Sequence, residues 1–161
     1  MILNRVSPAE RKIFSEISLA LIVIFAALTS INRYVGLTVV RQSLATGNTN
    51  GLQWFLPYSW PSVMMAMEYL AWGFFFGLAC ICLAPVFRQG RLEGGIFWTL
   101  MATGLFSLLA VAGQVIGSNF TSFSPFTLAG VLSWGPGLTG AVLMLSIWFY
   151  RGSHNMQPAI P

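Results

Sequence analysis

Two opposite charges, Arg33 and Glu68, stand inside long apolar runs of a chain with only 8 basic and 4 acidic residues among 161. An isolated charge at the centre of a bilayer costs about 2.5–3.5 kcal/mol by insertion scales, and a mutual ion pair removes much of that penalty. If the first helix leaves the membrane at Arg41 and the second enters at Trp60, each charge lies eight residues inside (41 − 33 and 68 − 60). At about 1.5 Å of rise per residue that is roughly 12 Å for both. Equal depth predicts contact. Asn32, Tyr34, Tyr69 and, from the third helix, Gln114 are candidates for the remaining hydrogen bonds. One role for such a pair is to fix the register of the first two helices. The other is a small cavity open to the outside, in which Glu68 binds a cation or proton and Arg33 an anionic head group. A third arrangement has Arg33 snorkelling to the head groups and leaving Glu68 behind.

Few other side chains offer chemistry. The acids are Glu10, Glu16, Glu68 and Glu93, there is no Asp, and the single histidine is His154 near the end of the chain. A membrane-embedded metal hydrolase needs several His or acidic ligands, and a haem with two imidazole ligands needs two histidines. No metal or other cofactor is expected, and no catalytic residue is assigned. Ser107 and Ser133 are hydroxyl nucleophiles without a histidine in any span to act as base, so they read as packing contacts. Cys80 and Cys82 form a C-x-C whose members point about 200° apart on a helix. They read as small apolar residues rather than a redox pair. The net charge of +4 does not imply nucleic acid, because no dense Lys/Arg cluster is present to meet a phosphate backbone.

The elements that must position these residues are membrane helices. Charged residues make up 7% of the chain, against about 25% in soluble domains. Four apolar stretches, 17–40, 63–87, 96–116 and 128–150, are each long enough to cross about 30 Å of hydrocarbon. The predicted fold is all-α: one domain, 1–161, an integral membrane four-helix bundle with helices at about 8–42, 61–87, 95–117 and 125–151. Ser7, Pro8 and Glu10 form a capping signal for the first helix, and Ser124-Pro125 repeats it for the fourth. A break near Asn32–Gly36, with 35–44 lying in the interface, is the alternative for the first. Residues 43–61 combine the turn-forming run 46–51 with Trp54, Phe55, Tyr58 and Trp60, which suits an aromatic belt. Residues 88–95 read as a short basic turn, the sequon at Asn119 as chance, and 152–161 as a tail. Pro136, between Gly135 and Gly137, predicts a kink near 132–136.

Basic residues set the expected orientation. Arg5, Arg11 and Lys12 precede the first span, Arg88 and Arg91 lie between the second and third, and Arg151 follows the fourth. The positive-inside rule then places both termini in the cytoplasm of a multi-pass cell-membrane protein. The first apolar run is too long for the core of a cleaved signal peptide. Gly73 and Gly77 on the second helix, and Gly113 and Gly117 on the third, match the G-x-x-x-G pattern of close helix approach. Gly73 and Gly77 lie about 140° and 180° around the helix from Glu68, giving that helix two packing faces.

The stretches 34–41 (YVGLTVVR) and 68–79 (EYLAWGFFFGLA) resemble uncharacterised four-span prokaryotic membrane proteins. The resemblance covers most of the chain and implies the topology alone, with no activity or catalytic residues. The leading functional expectation is a non-enzymatic scaffold or accessory subunit, associating through its glycine-bearing faces with itself or a larger membrane complex. The second is a small transporter or binding protein for an ion, amphiphile or lipid at an Arg33–Glu68 site, with membrane lipid as the surrounding partner. An integral membrane enzyme is the third.

Overall fold

The computed structural model describes residues 11–56, 62–88, 90–117 and 124–154. The Ser7–Glu10 capping signal, Tyr58, Trp60, Pro61, the Asn119 sequon and the tail beyond His154 lie outside them. Four helices, α1 (Lys12–Thr46), α2 (Val63–Val86), α3 (Arg91–Val115) and α4 (Pro125–Arg151), are each long and apolar enough to cross a membrane. Among the described residues there is no strand, so the fold is all-α.

Helix α1 does not break at Gly36. It passes through a wide π-type turn at Gly36–Val40 and continues to Thr46, four residues beyond the expected end. Gly47, at φ 72°, is the residue that stops it. A left-handed conformation suits a helix terminus and is free of Cβ strain only in glycine. Ser62 starts α2, its Oγ accepting from the Met65 N–H at 3.3 Å and donating to the Trp54 carbonyl at 3.3 Å. The connection is thereby tied back onto α2, and Leu52 buries against Val40 and Met64 while Trp54 and Phe55 stay exposed. Helix α3 starts at Arg91, so the expected turn through residue 95 is too long. Gly90 alone takes the positive φ of 99°, and Gly94 and Gly95 are already helical. In α4 the Ser124 Oγ accepts from the Thr127 N–H at 3.1 Å, with Pro125 in the first turn. The expected distortion at Pro136 takes the form of another π-type turn, at Ser133–Gly137.

The helices run up and down in sequence order. Ser18 Oγ donates to the Ala79 carbonyl at 2.9 Å, while the Asn32 amide donates to the Met64 carbonyl at 3.0 Å near the opposite ends of α1 and α2. Helix α1 buries Ser15, Ser18 and Asn32 and turns Val23, Ile24 and Ile31 outward, the reverse of a soluble helix. Its attachment combines these hydrogen bonds with Ile22 and Phe25, which pack against the main core. Glycines join α2 to α3. A Cβ on Gly77 would stand 2.9 Å from Ser107 Cβ and 3.1 Å from the Gly104 carbonyl. Between α3 and α4, Gly113 receives Phe126 at one end, and the Trp148 indole donates to Glu93 Oε1 at 3.1 Å at the other. The main core, including Phe76, Cys80, Phe87, Ile96 and Leu100, lies in the half containing the α2–α3 connection. Cys80 is buried there, Cys82 is half-buried, and both are free thiols. Helix α1 packs chiefly on α2 and α4 on α3, leaving the side between α1 and α4 open.

Candidate functional site

On that open side a cleft of about 390 Å³ is walled by Arg33 from α1, by Met65, Glu68, Tyr69 and Trp72 from α2, and by Thr127, Val131 and Trp134 from α4. The α2 residues fall at i, i+3, i+4 and i+7, and those of α4 at i, i+4 and i+7. One face of each helix therefore builds the cleft.

Arg33 and Glu68 form an ion pair, Nη2 to Oε1 2.8 Å, with the two side chains 54% and 15% exposed. The arginine sits at the rim and the carboxylate beneath it. Glu68 Oε1 is buried, and the arginine meets it as an ion pair outside hydrogen-bond geometry. Below the pair stands an aromatic wall. Tyr69 meets Trp134 edge to face, ring centres 5.2 Å apart, and Trp72 lies 6.3 Å from Trp134. Phe25 of α1 braces Trp72 from behind at 4.8 Å.

Trp134 is fixed by a directional chain of hydrogen bonds. Its indole N–H reaches Ser107 Oγ at 3.2 Å, Ser107 and Ser133 hydroxyls are 2.6 Å apart, and Ser133 Oγ donates to the Thr103 carbonyl at 2.8 Å. Ser133 has spent its one proton on the carbonyl, so Ser107 must donate to Ser133 and accept from Trp134. Both serines are fully buried. They hold an indole in place, and no titratable base meets them. Trp72 and Trp134 each lie in a wide turn, Leu70–Phe75 and Ser133–Gly137. Such turns recur at functional sites because they re-aim side chains that a regular helix would place elsewhere.

No protein-family model matches the chain, and no curated protein or solved structure is significantly similar to it.

The cleft gathers Arg33, Glu68 and Tyr69 from the residues singled out in the sequence. Asn32 is not among its walls: it is 2% exposed and bound to the Met64 carbonyl, where it pins α1 to α2. Gln114 also stands outside the lining, and Tyr34, 68% exposed, turns away. Gly73 and Gly77 face Val111, Ser107 and Gly104 of α3, and Gly113 faces Phe126. Gly117 does not pack against a helix. At φ 85°, with nothing within 4 Å of a built Cβ, it follows the end of α3 as a turn residue. Sequence reasoning missed Met65, Trp72, Thr127, Val131 and Trp134. Their helical spacing from Glu68 and from one another was the available signal.

A second, smaller cavity of about 120 Å³ lies between the same helices, lined by Ile22 of α1, Phe76 and Leu83 of α2 and Leu138, Val142 and Leu145 of α4, among others. Phe76 is one turn beyond Trp72, and Leu138 one turn beyond Trp134. By register the two cavities follow one another along α2 and α4, with no lining residue in common.

Proposed function

We propose that the protein is a multi-pass membrane protein that binds an amphiphile laterally, between α1 and α4, with its polar part at Arg33 and Glu68. The observation that carries this reading is the cleft of about 390 Å³, which brings an ion pair and an aromatic wall to one opening on the unpacked side of the bundle. In a bilayer such an opening faces lipid. A polar ligand with an apolar body reaches it without leaving the membrane. The described basic residues Arg11, Lys12, Arg88, Arg91 and Arg151 cluster at the other end of the bundle, which supports a cytoplasmic position for both termini and an outward position for the cleft.

The association reading has less support. The faces bearing Gly73, Gly77 and Gly113 are filled by α3 and α4 of the same chain, so a partner could use them only by opening the bundle. Among the described residues, the candidate nucleophiles Ser107 and Ser133 are sealed and already hydrogen-bonded, which leaves an enzymatic reading with less support.

Solvent extraction of protein purified in a mild neutral detergent tests the proposal. Wild type should carry a near-stoichiometric amphiphile, and Val131→Phe, which fills the cleft with apolar volume, should lose it while retaining helical content. Equal recovery from both would sink the reading.

A further inference from the structure

Resting on that amphiphile-binding reading, we propose that the ligand is a zwitterionic membrane lipid. Its ammonium group sits by Glu68 against the aromatic wall, its phosphate meets Arg33, and an acyl chain enters the apolar cavity between α1 and α4.

Charge conservation within the cleft carries the argument. Arg33 and Glu68 neutralise each other at 2.8 Å, so the pair gives the cleft no net charge. A cationic ligand that took Glu68 would strand the arginine, and an anionic one that took Arg33 would strand the carboxylate. The cost is heavier at Glu68, 15% exposed, than at Arg33, 54% exposed, because a buried charge left uncompensated is the more expensive one. A zwitterion divides the internal pair into two new pairs and strands neither. The partners are also arranged for it. Arg33 is half-exposed at the rim, where a phosphate at head-group level can meet its planar fork of donors. Glu68 lies deeper, beside Tyr69, Trp72 and Trp134. Tryptophan and tyrosine faces attract an ammonium within about 6 Å of the ring centre, most strongly when it is desolvated. Beyond Trp72 and Trp134, Phe76, Leu138 and Val142 line a second, apolar cavity of about 120 Å³, the next space along these helices for an acyl chain.

Three lipids with identical dioleoyl chains separate the head-group question from chain binding: phosphatidylcholine, anionic phosphatidylglycerol and a cationic trimethylammonium propane. Protein in maltoside micelles would receive them in equal amounts, and native mass spectrometry would count retained adducts. Wild type should retain phosphatidylcholine about tenfold over either charged lipid, a discrimination of about 1.4 kcal/mol. Arg33→Gln should shift preference toward the cationic lipid and Glu68→Gln toward the anionic one. A pair that only fixes helix register would leave head-group preference unchanged in both variants, and that result would overturn the proposal. Val131→Phe distinguishes the two levels of failure. If it abolishes retention while no variant alters head-group preference, amphiphile binding stands and the zwitterion proposal falls. If it leaves retention unaltered, the lateral site itself is wrong.

Discussion

Arg33 and Glu68 show how an apolar surrounding turns a pair of side chains into a structural commitment. On a water-exposed surface an ion pair contributes about 0–1 kcal/mol. Here Glu68 is 15% exposed, and its buried oxygen depends on the arginine. Glu68→Gln strands the arginine, and Arg33→Gln strands the carboxylate. Each single change should lower stability against denaturant in detergent, and the double change should recover part of the loss. A coupling of about 1 kcal/mol or more in this cycle is expected. Strictly additive losses would mean that the contact contributes nothing. The neighbouring Asn32 acts differently, since its amide holds a backbone carbonyl and involves no charge. Interhelical hydrogen bonds of this kind average about 0.6 kcal/mol in membranes, so the Ser18 and Asn32 bonds act together with the packing of Ile22 and Phe25 to hold α1.

At the scale of the helices, the α2–α3 contact at Gly77 is a close approach whose tolerance is set by atoms that cannot move aside. The carbonyl of Gly104 and the Cβ of Ser107 stand 3.1 and 2.9 Å from where a Gly77 Cβ would be. Neither can rotate away. Gly77→Leu must therefore separate the helices, and the loss should reach or exceed the upper end of the about 1–3 kcal/mol typical of overpacking. Gly94 is the matched control. It is also helical, but a Cβ there meets nothing within 4 Å, so Gly94→Ala should hold or raise stability by up to about 1 kcal/mol. Thermal unfolding of the two variants in the same detergent measures the contrast, and equal midpoints would remove the argument from close approach. The wide turn Leu70–Phe75 lies in this same stretch, so α2 is both tightly packed on one face and re-aimed toward the cleft on another.

For the whole molecule, the alternating helices put five described basic residues at one end and Arg41 at the other. In a variant lacking Cys80 and Cys82, cysteine at Asn50 should react with an impermeant thiol reagent added outside intact cells, whereas cysteine at Gln89 should react only after permeabilisation. Labelling of Gln89 alone from outside would invert the orientation and move the cleft to the inner half of the membrane. Labelling of both positions from one side would contradict a spanning α2.

Helix number and approximate length were readable in the sequence because each span obeys a one-dimensional rule: about 1.5 Å of rise per residue must cover about 30 Å of hydrocarbon. The same rise placed Arg33 and Glu68 at one depth, and the Ser124-Pro125 signal marked the start of α4 because capping is local. Rotation of each helix about its own axis was not readable. A lipid-facing side chain is as apolar as a buried one, so hydrophobic pattern does not separate inside from outside. That is why Gly73 and Gly77 offered two interpretations until α3 was seen against them, and why Asn32 was grouped with the charged pair although it serves the α2 backbone. It is also why Trp134, distant in sequence from Tyr69 and Trp72, was missed as their neighbour. Only the packing of α4 on α3, with Ser107 accepting from the indole, brings its ring to the cleft.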